Sequence, residues 1–236
     1  MARRPTVAGA VERLVAANTA RIHRVDGDAP NPRLIRDEAW YGRVVGAHEA
    51  IRAEWEGFEA AGLRLPLIDE MLGGWQGNVG GWWRTGALIS RGRPRAPLAA
   101  HFPATVAALA EIPGLLSAIW SVLGPGAELP PHRGVNAGAL NLLVGVHCPP
   151  GSGHEIEGRP VSLDGGVVVL FDDTLPHSAW NRSDEPRVLL IGDVLRPLPG
   201  LTGHANAVVQ WASNALTPGY RAALDRNAEL YHALNG

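Results

Sequence analysis

The sequence contains no lysine. All 21 basic residues are arginines, set against 23 acidic residues, for a formal net charge of −2 and a pI near 6.5. That balance gives no electrostatic reason to expect nucleic acid or an anionic membrane as a partner. The arginine-only basic set, beside plentiful Ala, Gly and Pro, reads as genomic bias. Cysteine is almost missing too. Cys148 stands alone, so no internal disulfide can form, which suits a reducing cytoplasm. Long apolar runs are also lacking: no stretch approaches the roughly 18 unbroken apolar residues of a membrane span. The start, MARRPTVAGAVERLVAAN, is interrupted by Glu12 and Arg13 and reads as an amphipathic helix, not a signal peptide. A cytoplasmic protein is the expectation. No internal repeat or low-complexity linker divides the chain. What is present is 236 residues with 46% hydrophobic content, enough for one substantial core.

The texture changes along the chain. Residues 5 to 62 read as helical: Trp40, Val44, Ile51, Trp55 and Phe58 recur at spacings of three, four or seven, with Gly62 a suitable C-cap. From 116 to 197 the pattern becomes LLSAIWSVL, ALNLLVGVH, GHEIEG, GVVVLFDD, HSAWNRS and PRVLLIGDVL, each closed by Gly, Pro, Asp or Asn. Short, evenly spaced strands without intervening helices predict a sandwich or barrel rather than a parallel α/β sheet. HFPATVAALAEIPG reads as a helix before them, and the tail from 201 returns to helix. The expected division is a helical extension over 1–75, a β core over 76–200 and a helical segment over 201–236, together one structural domain.

Only the β region gathers possible metal ligands. His132 follows Pro130-Pro131 at what reads as a strand entrance, and His177 follows the turn-rich FDDTLP. In a rolled antiparallel sheet two such strand ends can meet on one rim, and two neutral imidazoles suit a catalytic metal. The competing reading makes both loop histidines without a ligand role. Asp172 and Asp173 could add a carboxylate to the pair, or could shape the turn before Pro176; the turn is the favoured reading. Arg187 lies on a strand that is apolar on both faces, and a buried arginine requires an anion. Its planar fork matches a carboxylate, and Ser121 could add a hydroxyl.

These residues resemble the aspartyl/asparaginyl β-hydroxylase family of iron(II)- and 2-oxoglutarate-dependent oxygenases. The likeness runs from GGWWRTGALI through HFPAT and SVLGPGAELPPHRG to GGVVVLFDDTLPHSAWNRSDEPRVLLIGDVLRP, roughly residues 80 to 197. It implies a mainly β fold with flanking helices around a double-stranded β-helix, a cupin-like jelly roll. It implies that His132 and His177 bind Fe(II), that Ser121 and Arg187 hold the distal carboxylate of 2-oxoglutarate, and that O2 is the oxidant. Most 2-oxoglutarate oxygenases carry Asp or Glu two residues after the first histidine. This family carries glycine, and Gly134 matches it, the vacancy being filled by water.

The sequence departs from the family after that glycine. Where the family has LRxHL, whose Arg and His contact the iron-bound end of 2-oxoglutarate, this chain has LNLLV. Asn141 keeps a hydrogen-bond donor and Leu143 keeps none. Strand alternation puts His147 on the same face, too far along for direct compensation, and leaves Arg84 or Arg133 as loop replacements. The expected reaction is hydroxylation of an unactivated C–H in a small-molecule, amino-acid or peptide substrate of a biosynthetic pathway. Arg84, Arg91, Arg93, Arg95 and Arg133 would suit a substrate bearing a carboxylate or attached to a carrier. Two alternatives stay open: a jelly-roll metalloenzyme that does not use 2-oxoglutarate, such as an isomerase, lyase or other oxygenase, and a catalytically silent binding module.

Overall fold

A computed structural model describes residues 7–33, 35–72, 79–216 and 218–236. The domain boundary expected at 75–76 and the first residues of the predicted N-terminal helix lie outside them. The chain opens with helices α1 (Val7–Asp26), α2 (Ala39–Gly46), α3 (His48–Ala60) and α4 (Ile68–Leu72). Ala47 closes α2 and opens α3. Trp40, Val44, Ile51, Trp55 and Phe58 are all buried, as their spacing predicts. Gly62, with φ +73°, takes the left-handed turn beyond α3 that a side chain would resist.

Among the described residues ten strands follow, with one α-helix between the second and third: β1 (Trp83–Ser90), β2 (Arg93–Pro94), α5 (Pro103–Ala110), β3 (Leu115–Leu123), β4 (Glu128–His132), β5 (Ala139–His147), β6 (Ser152–Ile156), β7 (Arg159–Val161), β8 (Val168–Phe171), β9 (His177–Asn181) and β10 (Arg187–Leu195). They form a large sheet ordered β2-β1-β3-β10-β5-β8 and a small one ordered β4-β9-β6-β7. Every pairing is antiparallel. From β3 to β10 the chain passes repeatedly between the two sheets. This is the double-stranded β-helix expected from the sequence, with β1 and β2 added at one edge.

The large sheet is covered on both sides, which explains its nearly continuous apolar strands. Leu140, Leu142, Val144, Val188 and Leu190 face outward into the main core with Trp55, Phe58 and Phe102. Trp120 anchors that layer, its ring 4.8 Å from both Trp55 and Phe102. Leu143, Leu189 and Phe171 instead face the interior of the roll, against Ile156 of the small sheet. Between β3 and β10, the strands β4 and β7 are absent from the sequence reading. Both contain proline and lie at the edges of the small sheet, where a missing backbone donor is tolerated.

The tail forms α6 (Gly200–Leu216) and α7 (Pro218–Asn235). The buried Asn18 amide donates to Asn206 Oδ1 at 2.9 Å, joining α1 to α6. Asn227 of α7 donates to the Thr85 carbonyl and accepts from the Ala87 amide, so α7 is bonded to β1. Among the described residues, no helix is long and apolar enough to cross a membrane.

Candidate active site

The two sequence-singled histidines meet. His132 ends β4, rather than entering a strand, and pairs directly with His177 at the start of β9. Their ring centroids are 4.1 Å apart. Each ring is held in the same way. His132 Nδ1 lies 2.9 Å from the Pro130 carbonyl, and His177 Nδ1 lies 3.0 Å from the Leu175 carbonyl. A carbonyl only accepts, so each Nδ1 must carry the proton, leaving each Nε2 with a lone pair. Backbone bonds of this kind orient metal-binding imidazoles. Burial holds the His177 pKa below its usual value, and the neighbouring His132 adds to this against the Leu175 bond. A neutral ring is the form that a metal needs. Among the described residues no group of three or more His, Cys, Asp or Glu side chains could hold a metal ion. The site offers two imidazoles.

Gly134 lies two residues beyond His132, and the space its side chain would fill belongs to the Asp173 carboxylate. The Gly134 amide also donates to the Asp173 carbonyl at 2.7 Å. The adjacent aspartates therefore do different things. Asp172 shapes the turn: its carboxylate accepts from the Thr174 amide and hydroxyl and pairs with Arg196. Asp173 instead lines the cavity. Burial, reinforced by the negative charges of Asp193 and Asp172, pushes its pKa up to about 7.

His132, His177, Ser121, Asn141 and Arg187 all line one cavity of about 230 Å³ inside the roll, with Trp83, Leu129, Leu143 and Leu189 among its apolar walls. Arg187 is 2% exposed, has Cys148 as its close neighbour, and leaves Nη2 without a hydrogen-bond partner. A buried guanidinium donor with no acceptor in the protein is expensive and is satisfied by an anion. Ser121 faces the same space, and Trp83 Nε1 donates to its hydroxyl at 2.9 Å.

Several expected contributors are elsewhere. His147 does not share the inward face of Asn141 and Leu143: the β5–β10 register slips between Gly145 and His147, which turns His147 outward to Glu185, 3.1 Å away. Arg84 donates to the Leu65 carbonyl and lies over Trp82. Arg91, Arg93 and Arg95 line a separate cleft beside Trp211. Of the five arginines, only Arg133 lines the cavity. The sequence reading missed His154 on β6, which is buried and also lines it. The available signal was its alternation with the buried Ile156.

The fold is a double-stranded β-helix, and two histidines are paired at the mouth of its cavity. The model of the aspartyl/asparaginyl beta-hydroxylase family matches residues 47–197. With more than half of its residues matched, the chain belongs to that family of hydroxylases. It is 30% identical over 197 residues to the ornithine lipid ester-linked acyl 2-hydroxylase of Rhizobium tropici, covering 80% of this chain and 69% of that protein. It is 25% identical to the human aspartyl/asparaginyl beta-hydroxylase over 75% of this chain, a match that spans only 24% of the human protein. Among solved structures, a Pseudomonas putida prolyl-4-hydroxylase aligns with 75% of this chain and 99% of its own, at 17% identity and a TM-score of 0.45. An oxidoreductase of the 2OG-Fe(II) oxygenase family from Burkholderia pseudomallei aligns with 78% of this chain and 90% of its own, at 13% identity and a TM-score of 0.41.

Proposed function

We propose that the protein is an Fe(II)- and 2-oxoglutarate-dependent dioxygenase that hydroxylates an unactivated C–H bond in a small-molecule, amino-acid or peptide substrate of a biosynthetic pathway. One observation carries this reading. A single cavity is lined by two imidazoles whose Nδ1 atoms are held by backbone carbonyls, and by a buried arginine whose Nη2 has no hydrogen-bond partner. The first pair fits a divalent metal and the second feature fits a carboxylate.

His132 and His177 would hold the iron. Arg187, with the Ser121 hydroxyl beside it, would hold the distal carboxylate of 2-oxoglutarate, and Asn141 would add an uncharged donor. When bound, the metal, O2 and the 2-oxo acid supply the oxidising power, leaving succinate and CO2. The chain supplies the rest. The Pro130 and Leu175 carbonyls fix both ring tautomers, Arg187 sets the depth of the acid, and the apolar walls exclude water. The Rhizobium relative's name adds an acyl chain to the substrates worth offering.

The test is 2-oxoglutarate turnover under air with added Fe(II), reading succinate and O2 together across a panel of amino acids, peptides and acyl lipids. Coupled succinate formation, lost in His132→Ala and in His177→Ala, is the expected result. O2 uptake or another metal-dependent conversion without succinate would favour the jelly-roll metalloenzyme that does not use 2-oxoglutarate, a reading that Leu143 on the cavity wall motivates.

A further inference from the structure

His154 has no hydrogen-bond partner among the described residues. It sits on the short strand SGHEI, pointing into the roll with Ile156, and is 6% exposed. Neither ring nitrogen makes a hydrogen bond. Its ring meets Phe171 edge-on at 5.7 Å and lies nearly parallel to His177 at 6.2 Å. The register explains this placement: His154 pairs with Ala179 and Ile156 pairs with His177, which makes His154 and His177 diagonal neighbours on one inward face. An imidazole with both nitrogens buried and unsatisfied is rare unless a ligand completes it.

The surroundings select that ligand. His154 and Arg187 both line the main cavity and also a second one behind it, so the two side chains form the wall between them. Buried against the Arg187 side chain, the ring is disfavoured as a cation and offers one N–H to donate and one lone pair. Arg187 Nη2 is the other unpartnered donor in the same space. One carboxylate satisfies both donors, whereas a cation would meet the arginine's repulsion.

We propose that His154 is a second, uncharged clamp on the carboxylate that Arg187 holds, so that the distal end of the cosubstrate is bound by one cation and one neutral donor. This rests on the 2-oxoglutarate reading above.

The experiment is calorimetric titration of 2-oxoglutarate into the Zn(II)-loaded protein, which binds without turnover, with pyruvate as the analogue lacking a distal carboxylate. Two variants are compared with the parent. His154→Phe keeps ring volume and the packing on Phe171 but removes both nitrogens; His154→Gln keeps an N–H donor. The expected result is a Kd for 2-oxoglutarate raised about tenfold to a hundredfold in His154→Phe, largely recovered in His154→Gln, with pyruvate and Zn(II) affinities unchanged. Should His154→Phe fail to fold, His154→Leu, which also lacks both nitrogens, carries the same expectation: weakened 2-oxoglutarate binding with Zn(II) binding intact, against equal affinity, which overturns the clamp. Equal 2-oxoglutarate affinity in parent and His154→Phe overturns the clamp. So does a parallel loss of Zn(II) affinity in either variant, which would make His154 a metal ligand. A parent protein that binds Zn(II) but no 2-oxoglutarate would instead overturn the functional reading on which the clamp rests.

Discussion

At position 134 the absence of a side chain makes room for the carboxylate of Asp173. That carboxylate is held in a half-buried site beside Asp172 and near Asp193, and its pKa of about 7 lies well above the ordinary 3.8. The sign of the consequence follows from linkage. An acid whose folded pKa is raised takes up its proton more readily in the folded state, so its contribution is fully present below about pH 3.8. It is lost as pH rises through about 7. Melting temperatures of the metal-free protein should therefore fall across this window through Asp173, and Asp173→Asn should flatten that part of the profile. A profile unchanged by the substitution would contradict the placement of Asp173. From sequence, the two aspartates were indistinguishable: adjacent residues in a turn differ in direction, and only the fold shows that Asp172 turns to Thr174 and Arg196 while Asp173 turns to Gly134.

Among the elements, the most consequential junction is Arg196, just past β10. Its side chain is 1% exposed, pairs with Asp172, pairs with Asp26 of α1 at 2.8 Å and donates to the Ala137 carbonyl. Burial alone would raise both carboxyl pKa values, but hydrogen bonds and the positive charges beside them leave both lowered. For Asp26 the bonds come from Arg33 and Arg196, and for Asp172 from Thr174 and Arg196. Lowered carboxyls stabilise the fold above their unfolded pKa near 3.8, and the contribution disappears as pH falls through the folded values. Arg196→Ala removes the shared partner and should cost about 3–5 kcal/mol, read by denaturant unfolding. A loss below about 1 kcal/mol would mean that water replaces the arginine. The helices and most strands were legible because their apolar spacing is regular. The outward turn of His147 was not, since a single-residue slip in β5 reverses the alternation on which such a reading depends.

For the whole molecule, the helical layers and the roll have separate tasks. The large sheet buries Trp120, Leu142 and Leu190 under α3 and α5 on one side and keeps its other face for the cavity. That division lets the inner face carry Arg187, Ser121 and Asn141 without giving up the main core. Strand alternation marked Arg187 as a buried charge, whereas the pairing of His132 with His177 was legible through the family resemblance, since turn chemistry alone fits loop histidines equally well. The partition of the arginines was not: Arg91, Arg93 and Arg95 meet Trp211 across a distance in sequence that no local pattern encodes.

We propose that His132, His177 and Arg187 together bind a metal and a 2-oxo acid, and an anaerobic titration tests this. Fe(II) is added anaerobically to the protein and then 2-oxoglutarate, while the visible spectrum is followed. The expected result is a weak charge-transfer band that requires both additions and is lost in His177→Ala. Iron binding with no band on adding 2-oxoglutarate would contradict it.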